Sequence, residues 1–113
     1  MAELRSIKET KFIADAMLGK LSKWLRILGF DTLYYRNKED DKLLELAMKE
    51  DRQILTRKTS LKARKNIQNQ LFFIHEDDPL KQLQDVIEHY KLAIESHNLF
   101  TLWSYNQKLC LGG

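Results

Sequence analysis

The sequence predicts an α/β domain on a mostly parallel sheet. Apolar runs of strand length alternate with longer stretches of helical period, about four times over. Each strand-like run stops on a polar or charged residue, as it does where a chain leaves a buried strand for a connecting helix. With 113 residues, 4 glycines and 1 proline, the chain has the size and composition of one folded unit with a single modest core.

The elements follow in order. Lys11 to Ala14 reads as a strand that stops at Asp15. Leu18, Leu21, Leu25 and Leu28 then recur at helical spacing until Gly29, a residue suited to the left-handed turn that ends a helix. Asp31, after the Gly29-Phe30 pair, reads as a turn residue, and Thr32 to Tyr35 as the second strand. Asn37 to Asp41 is polar and leads into a helix marked by Leu43, Leu44, Ala47 and Met48 that ends near Glu50. Gln53 to Thr56 is the third strand, after which Ser60 is placed to cap a short basic helix running through Lys65. Leu71 to Ile74 is the fourth strand. Asp78 followed by Pro79 is a strong helix start, and Leu80, Leu83, Val86, Ile87 and Tyr90 give that helix its apolar stripe. Residues 11–95 therefore form the domain, and 96–113 an aromatic tail without clear period.

Composition removes several function classes. Cys110 is the single cysteine, which excludes an internal disulfide framework and a cysteine-built zinc site within one chain. His75, His89 and His97 share no ligand spacing with it and read as surface or packing residues. No serine lies in a nucleophile-elbow context. No apolar run is long enough to span a bilayer and the first residues are charged, so a soluble, cytoplasmic protein without a membrane partner is expected. The net charge of +3 permits a nucleic-acid partner without demanding one.

Right-handed crossovers place all strand ends and helix starts on one edge, where ligands bind in parallel sheets. Those ends carry Asp15, Arg36 to Asp41, Thr56 to Thr59 and His75 to Asp78. Asp15 on its own reads as a helix cap. Asp40 reads equally well as a cap or as a functional acid, while its neighbour Asp41 points elsewhere and faces solvent. Asp78 is a cap, Glu76 and Asp77 an exposed face. Between Arg52 and Ile74 there is no acid, whereas Arg52, Arg57, Lys58, Lys62, Arg64 and Lys65 are basic. That run reads as a solvated face or as a track for a phosphate backbone. Lys20, Lys23 and Arg26 form a second stripe at three-residue spacing. Trp24 and the Tyr34-Tyr35 pair are candidates for stacking on bases, Trp24 being first of all core material.

The run from Phe12 to Thr32, FIADAMLGKLSKWLRILGFDT, resembles the opening of the Mut-seven C-terminal RNase domain family, a branch of the PIN-like nucleases. DDKLLELA from Asp40 and QILTRK from Gln53 resemble its second and third motifs. The resemblance covers about Phe12 to Tyr90. It implies a PIN-like three-layer fold, with a four- or five-stranded, mostly parallel sheet flanked by helices. It further implies a metal-dependent ribonuclease with Asp15, Asp40 and Thr56 as catalytic residues, Asp15 and Asp40 holding Mg2+ or Mn2+, and RNA as partner. Hard divalent ions suit this chemistry because they neutralise the phosphate and activate water, and they take oxygen ligands. Lys20 and Arg26 lie within the first motif. With Arg57, Lys58, Lys62, Arg64 and Lys65 they make up the expected nucleic-acid-binding set.

Two departures weigh on that expectation. Lys58 stands where the family pattern has an acid, and an ammonium there either repels a metal or replaces one by pairing with Asp15 or a substrate phosphate. Phe100 to Leu109 resembles the start of the family's zinc ribbon but has Trp103 and Tyr105 without paired cysteines, so no zinc is expected. The first reading is thus a ribonuclease with an atypical acidic site, and the second a catalytically silent RNA-binding or interaction module on the same fold, with a homo-oligomer open in either case.

Overall fold

The computed structural model describes residues 10–94 together with Thr101, Trp103 and Ser104. The tail from 96 to 113, apart from those three residues, lies outside the described residues, and so do Cys110, His97 and Tyr105. Four strands, β1 (Lys11–Ala14), β2 (Asp31–Tyr34), β3 (Gln53–Thr56) and β4 (Leu71–Phe73), alternate with α1 (Gly19–Ile27), α2 (Asp40–Lys49), the short α3 (Thr59–Lys62) and α4 (Pro79–Tyr90). The sheet is parallel throughout, in the order β2-β1-β3-β4. It bears out the expected fold class with four strands.

Alternation along the two central strands creates the layers. Phe12 and Ala14 of β1 and Leu55 of β3 join Leu21, Trp24 and Leu25 of α1 and Leu83 and Val86 of α4 in one cluster. Ile13 and Ile54, one residue out of phase, join Leu43, Leu44 and Ala47 of α2 with Leu61 and Ile67 in the other. Successive strand residues point to opposite faces, so a run such as Phe12-Ile13-Ala14 has to be apolar at every position to supply both layers. Phe12 packs edge-on against Phe30 at 6.2 Å and Tyr90 at 5.2 Å between ring centroids.

Helix ends follow one physical rule with different residues. After α1, Phe30 N–H donates to Leu25 O and Gly29 N–H to Arg26 O, with Gly29 at φ 98°. Arg52 N–H to Ala47 O and Leu92 N–H to Ile87 O repeat the six-to-one bond after α2 and α4. Asp51 and Lys91 hold the left-handed position there, at φ 54° and 53°. Such turns satisfy the last free carbonyls of a helix. Gly29 is readable as a stop in sequence; Asp51 and Lys91 accept a backbone strain that only the closed turn makes worthwhile.

Several boundaries move. Asp31 is the first residue of β2 instead of a turn residue, and its carboxylate pairs with Arg52 at 3.0 Å. A 3-10 turn, Ala16–Leu18, separates Asp15 from α1. The basic helix ends at Lys62, and Ser60 does not cap it: the N-cap is Lys58, without a side-chain bond. Residues 65–70 form a 3-10 helix leading into β4.

Arg52 belongs to the opposite end of the sheet from the strand exits. Its guanidinium donates to Phe12 O at 3.0 Å and pairs with Glu50 at 2.6 Å as well as with Asp31. Burial alone would lower its pKa, but the Glu50 and Asp31 carboxylates raise it. Arg52 clamps the amino ends of β1 and β2 and is no part of a ligand edge.

Candidate functional site

The chain leaves β1 toward β2 on one side of the sheet, and every later strand is added on the other side, beyond β1. Connections diverge between β1 and β3, which makes their carboxyl ends the switch point where a crevice forms. Asp15 sits there, 0% exposed. Its N–H donates to Leu55 O at 3.2 Å, the last bond of the β1–β3 ladder. Its Oδ1 accepts from Met17 N–H at 2.9 Å, and its Oδ2 accepts from Arg57 N–H at 3.0 Å and from the Thr56 hydroxyl. The capping role is therefore real, but it is only one of three contacts. The carboxylate also binds β3 to β1 where their ladder ends.

Thr56, fully buried as well, is committed on two sides. Its hydroxyl donates to Asp15 and accepts from Lys58 N–H at 2.9 Å. Lys58 is extended, at φ −85° and ψ 122°. Its Nζ lies 2.9 Å from Asp40 Oδ1, and Ser60 Oγ donates to Asp40 Oδ2 at 3.0 Å. A continuous series of bonds thus runs from Asp15 through Thr56 and Lys58 to Asp40, joining β1, β3 and the start of α2.

Asp40 is the first residue of α2; the N-cap is Glu39, which makes no side-chain cap bond. The capping alternative for Asp40 is therefore corrected: Lys58 and Ser60 take both of its oxygens. Lys58 likewise pairs with neither Asp15 nor an open phosphate position, because Asp40 is within its reach. Burial pushes the Asp40 pKa up, but hydrogen bonds from Lys58 and Ser60 and the charges of Lys58 and Arg64 hold it below the ordinary carboxylate value. Only 22% of either side chain in the Lys58–Asp40 pair is exposed, so water screens it incompletely.

Most of the basic run is consumed within the protein. Arg57 pairs with Asp77 at 2.6 Å, and Arg64 with Asp41 at 3.1 Å. Lys62 Nζ lies 4.5 Å from the centre of the Phe73 ring, and Lys65 is exposed. Lys20 is exposed at the start of α1, on the ligand edge, whereas Arg26 lies six residues on, about 9 Å along the helix axis toward the other edge. Trp24 and Tyr35 are buried and offer no face to a base. The Tyr34 hydroxyl donates to Ala16 O at 2.7 Å.

The readings of the remaining polar residues mostly agree with their places. Asp78 caps α4 through Leu80 N–H at 3.4 Å. His75 packs on Phe73 and His89 on Phe72. Three residues on this edge have places that the sequence reading did not turn into roles. Ser60 went unnoticed as a partner of Asp40, since contact between α3 and α2 is not a local property. Arg36 and Lys38, exposed just beyond β2, carried a usable signal: they follow a strand that ends on the same edge.

The chemistry of the edge is constrained by these pairings. Among the described residues, no group of three or more His, Cys, Asp and Glu side chains is placed to hold a metal ion. Asp15 already accepts from three protein donors, and Asp40 is neutralised by an ammonium that brings its own positive charge. As arranged, the residues do not fit a carboxylate-bound Mg2+ or Mn2+ centre. Among the described residues no helix is long and apolar enough to cross a membrane.

A three-layer α/β domain on a parallel four-stranded sheet, with a buried aspartate at its switch point, is consistent with a PIN-like fold. The chain is a member of the Mut7-C RNAse domain family, whose model matches residues 10–109. Comparison with curated proteins and with solved structures gave no match.

Proposed function

We propose that this chain is an RNA-binding member of its nuclease family that engages the phosphodiester backbone at the carboxyl edge of the sheet without hydrolysing it. One observation carries the reading: the Lys58 ammonium on Asp40 at 2.9 Å puts a fixed monovalent cation on the acid that a divalent ion would need. An ammonium neutralises charge and attracts phosphate, but it cannot generate a metal-bound hydroxide. Family membership supports RNA as the ligand class, and residues 11–95 are the unit proposed to bind it.

The metal-dependent ribonuclease is the second reading. The position of Asp15 at the switch point favours it. It requires the Lys58–Asp40 pair to open, exposing Asp40.

Purified protein is incubated with labelled single-stranded RNA and Mn2+, with and without chelator, beside Lys58→Asp. Expected for the wild type are retained RNA and no metal-dependent cleavage. Mn2+-dependent cutting by the wild type, abolished by chelator, would overturn the proposal in favour of the nuclease reading. Absence of RNA binding would overturn both.

A further inference from the structure

The cations of the ligand edge divide into two populations. On the β3 side, Arg57, Lys58 and Arg64 each hold a carboxylate, and Lys62 covers Phe73. On the β2 side the balance is reversed. Glu39 pairs with Lys42 at 3.5 Å, Asp40 with Lys58 and Asp41 with Arg64. All three acids next to Arg36 and Lys38 are therefore matched by cations from elsewhere. Arg36, Lys38 and Lys20 are exposed and make no ion pair among the described residues.

Backbone contacts bring these three positions to one place. Tyr35 N–H donates to Ala14 O at 2.9 Å, extending the pairing of β2 with β1 up to the residue before Arg36. The Tyr34 hydroxyl donates to Ala16 O, and its ring lies against Gly19, where a Cβ would stand 3.1 Å from the Tyr34 oxygen. The end of β2 is thus seated on the entrance of α1, one residue from Lys20. Between Asp15 and Lys20 stands Met17, 61% exposed on a turn whose amide is held by Asp15.

We infer that single-stranded RNA is bound on the β2 side of the edge, its backbone on Lys20, Arg36 and Lys38 and a base against Met17, and that the basic run 57–65 serves mainly internal pairing. The inference rests on the RNA-binding reading and specifies its surface. Unpaired cations release counterions when phosphate arrives, whereas a cation already holding a carboxylate must first give it up. A flexible thioether makes favourable contact with an aromatic face, and only an unpaired strand can present one. Lys58, by neutralising Asp40, removes one negative charge of this edge that would repel the backbone.

Fluorescence anisotropy with a labelled, unstructured RNA of about ten nucleotides separates the two surfaces. The variant Lys20→Glu/Arg36→Glu/Lys38→Glu is expected to lose about tenfold or more in affinity. Its plot of log K against log salt should be shallower by about 2, from roughly 0.7 per phosphate on a single strand. Lys62→Glu/Lys65→Glu should stay within about threefold of wild type, because these two lysines, although neither holds a carboxylate, lie on the β3 side outside the inferred path. The milder Lys20→Gln/Arg36→Gln/Lys38→Gln must follow the triple reversal in direction, and melting curves verify folding of each variant. Equal losses from both sets, or the larger loss from Lys62→Glu/Lys65→Glu, would overturn the placement while leaving RNA binding intact. Duplex RNA bound as tightly as single strands would remove the Met17 contact. No binding by the wild type would sink the functional reading itself.

Discussion

Replacing Asp15 by Asn tests the centre of the site, because the substitution keeps size and removes only charge and one acceptor. The buried carboxylate accepts from Met17 N–H on Oδ1 and from Arg57 N–H and the Thr56 hydroxyl on Oδ2. An amide has one oxygen, so its NH2 must face a fixed backbone donor in either orientation. If the NH2 takes the Oδ1 place, Met17 N–H is orphaned. If it takes the Oδ2 place, Arg57 N–H is orphaned and the Thr56 hydroxyl must turn round. A buried unsatisfied donor costs about 1–3 kcal/mol, and loss of a hydrogen bond to a charged acceptor about 1.5–3 kcal/mol more. Some relaxation offsets the sum, which leaves a destabilisation of about 3 kcal/mol. At about 4 °C per kcal/mol for a domain of this size, the midpoint falls by about 12 °C. Urea denaturation with unchanged m-value measures it. A variant within about 0.5 kcal/mol of wild type, the usual spread of surface substitutions, would refute the assignment of Asp15 as the triple acceptor. The same number warns that lost activity in Asp15→Asn reports on folding unless assays are run well below its midpoint.

Other outcomes follow from the same contacts. A double-mutant cycle on Lys58→Met and Asp40→Asn should give a coupling of about 1–2 kcal/mol, between the values for exposed and buried pairs; a coupling of zero removes the pair as a structural element. Asp40 is held below its ordinary value of 3.8, so its contribution is present above that value and is lost as pH falls through the lower folded value. The stability gap between wild type and Asp40→Asn at about pH 6 should therefore shrink toward about pH 2, and a constant gap would contradict the pairing. Tyr35→Phe should be neutral or stabilising by up to about 1 kcal/mol, since the Tyr35 hydroxyl is buried without a partner among the described residues. A loss of more than about 1 kcal/mol would reveal a partner for it.

The legible parts of this protein are those set by local pattern. The strands at Lys11–Ala14 and Gln53–Thr56 and the start of α4 at Pro79 stand as read, because apolar runs, polar stops and an Asp-Pro pair act over a few residues. The end of α2 near Glu50 also stands as read, whereas the left-handed turn at Lys91 that closes α4 was not legible, since lysine does not favour the conformation that closure of the helix imposes. Asp31 was misplaced for a related reason: its charge suits a turn locally, and only Arg52, 21 residues on, gives it a role in a strand.

At the site, sequence by itself determined that Asp15, Asp40, Thr56 and Lys58 all lie at the exits and entrances of one edge, because a parallel sheet with right-handed crossovers admits no other arrangement. It also established the two odd facts that mark this chain, a lysine among acids and a basic run beside them. Only the tertiary structure decided which charge meets which. The sequence offers Lys58 several acids at this edge, and the energy of a pair depends on distance and screening, quantities that a sequence does not hold. Once α2 and α3 pack on the same face, Asp40 is the acid left within 2.9 Å of that ammonium, while Arg36 and Lys38, whose neighbouring acids are taken, remain the exposed positive charge.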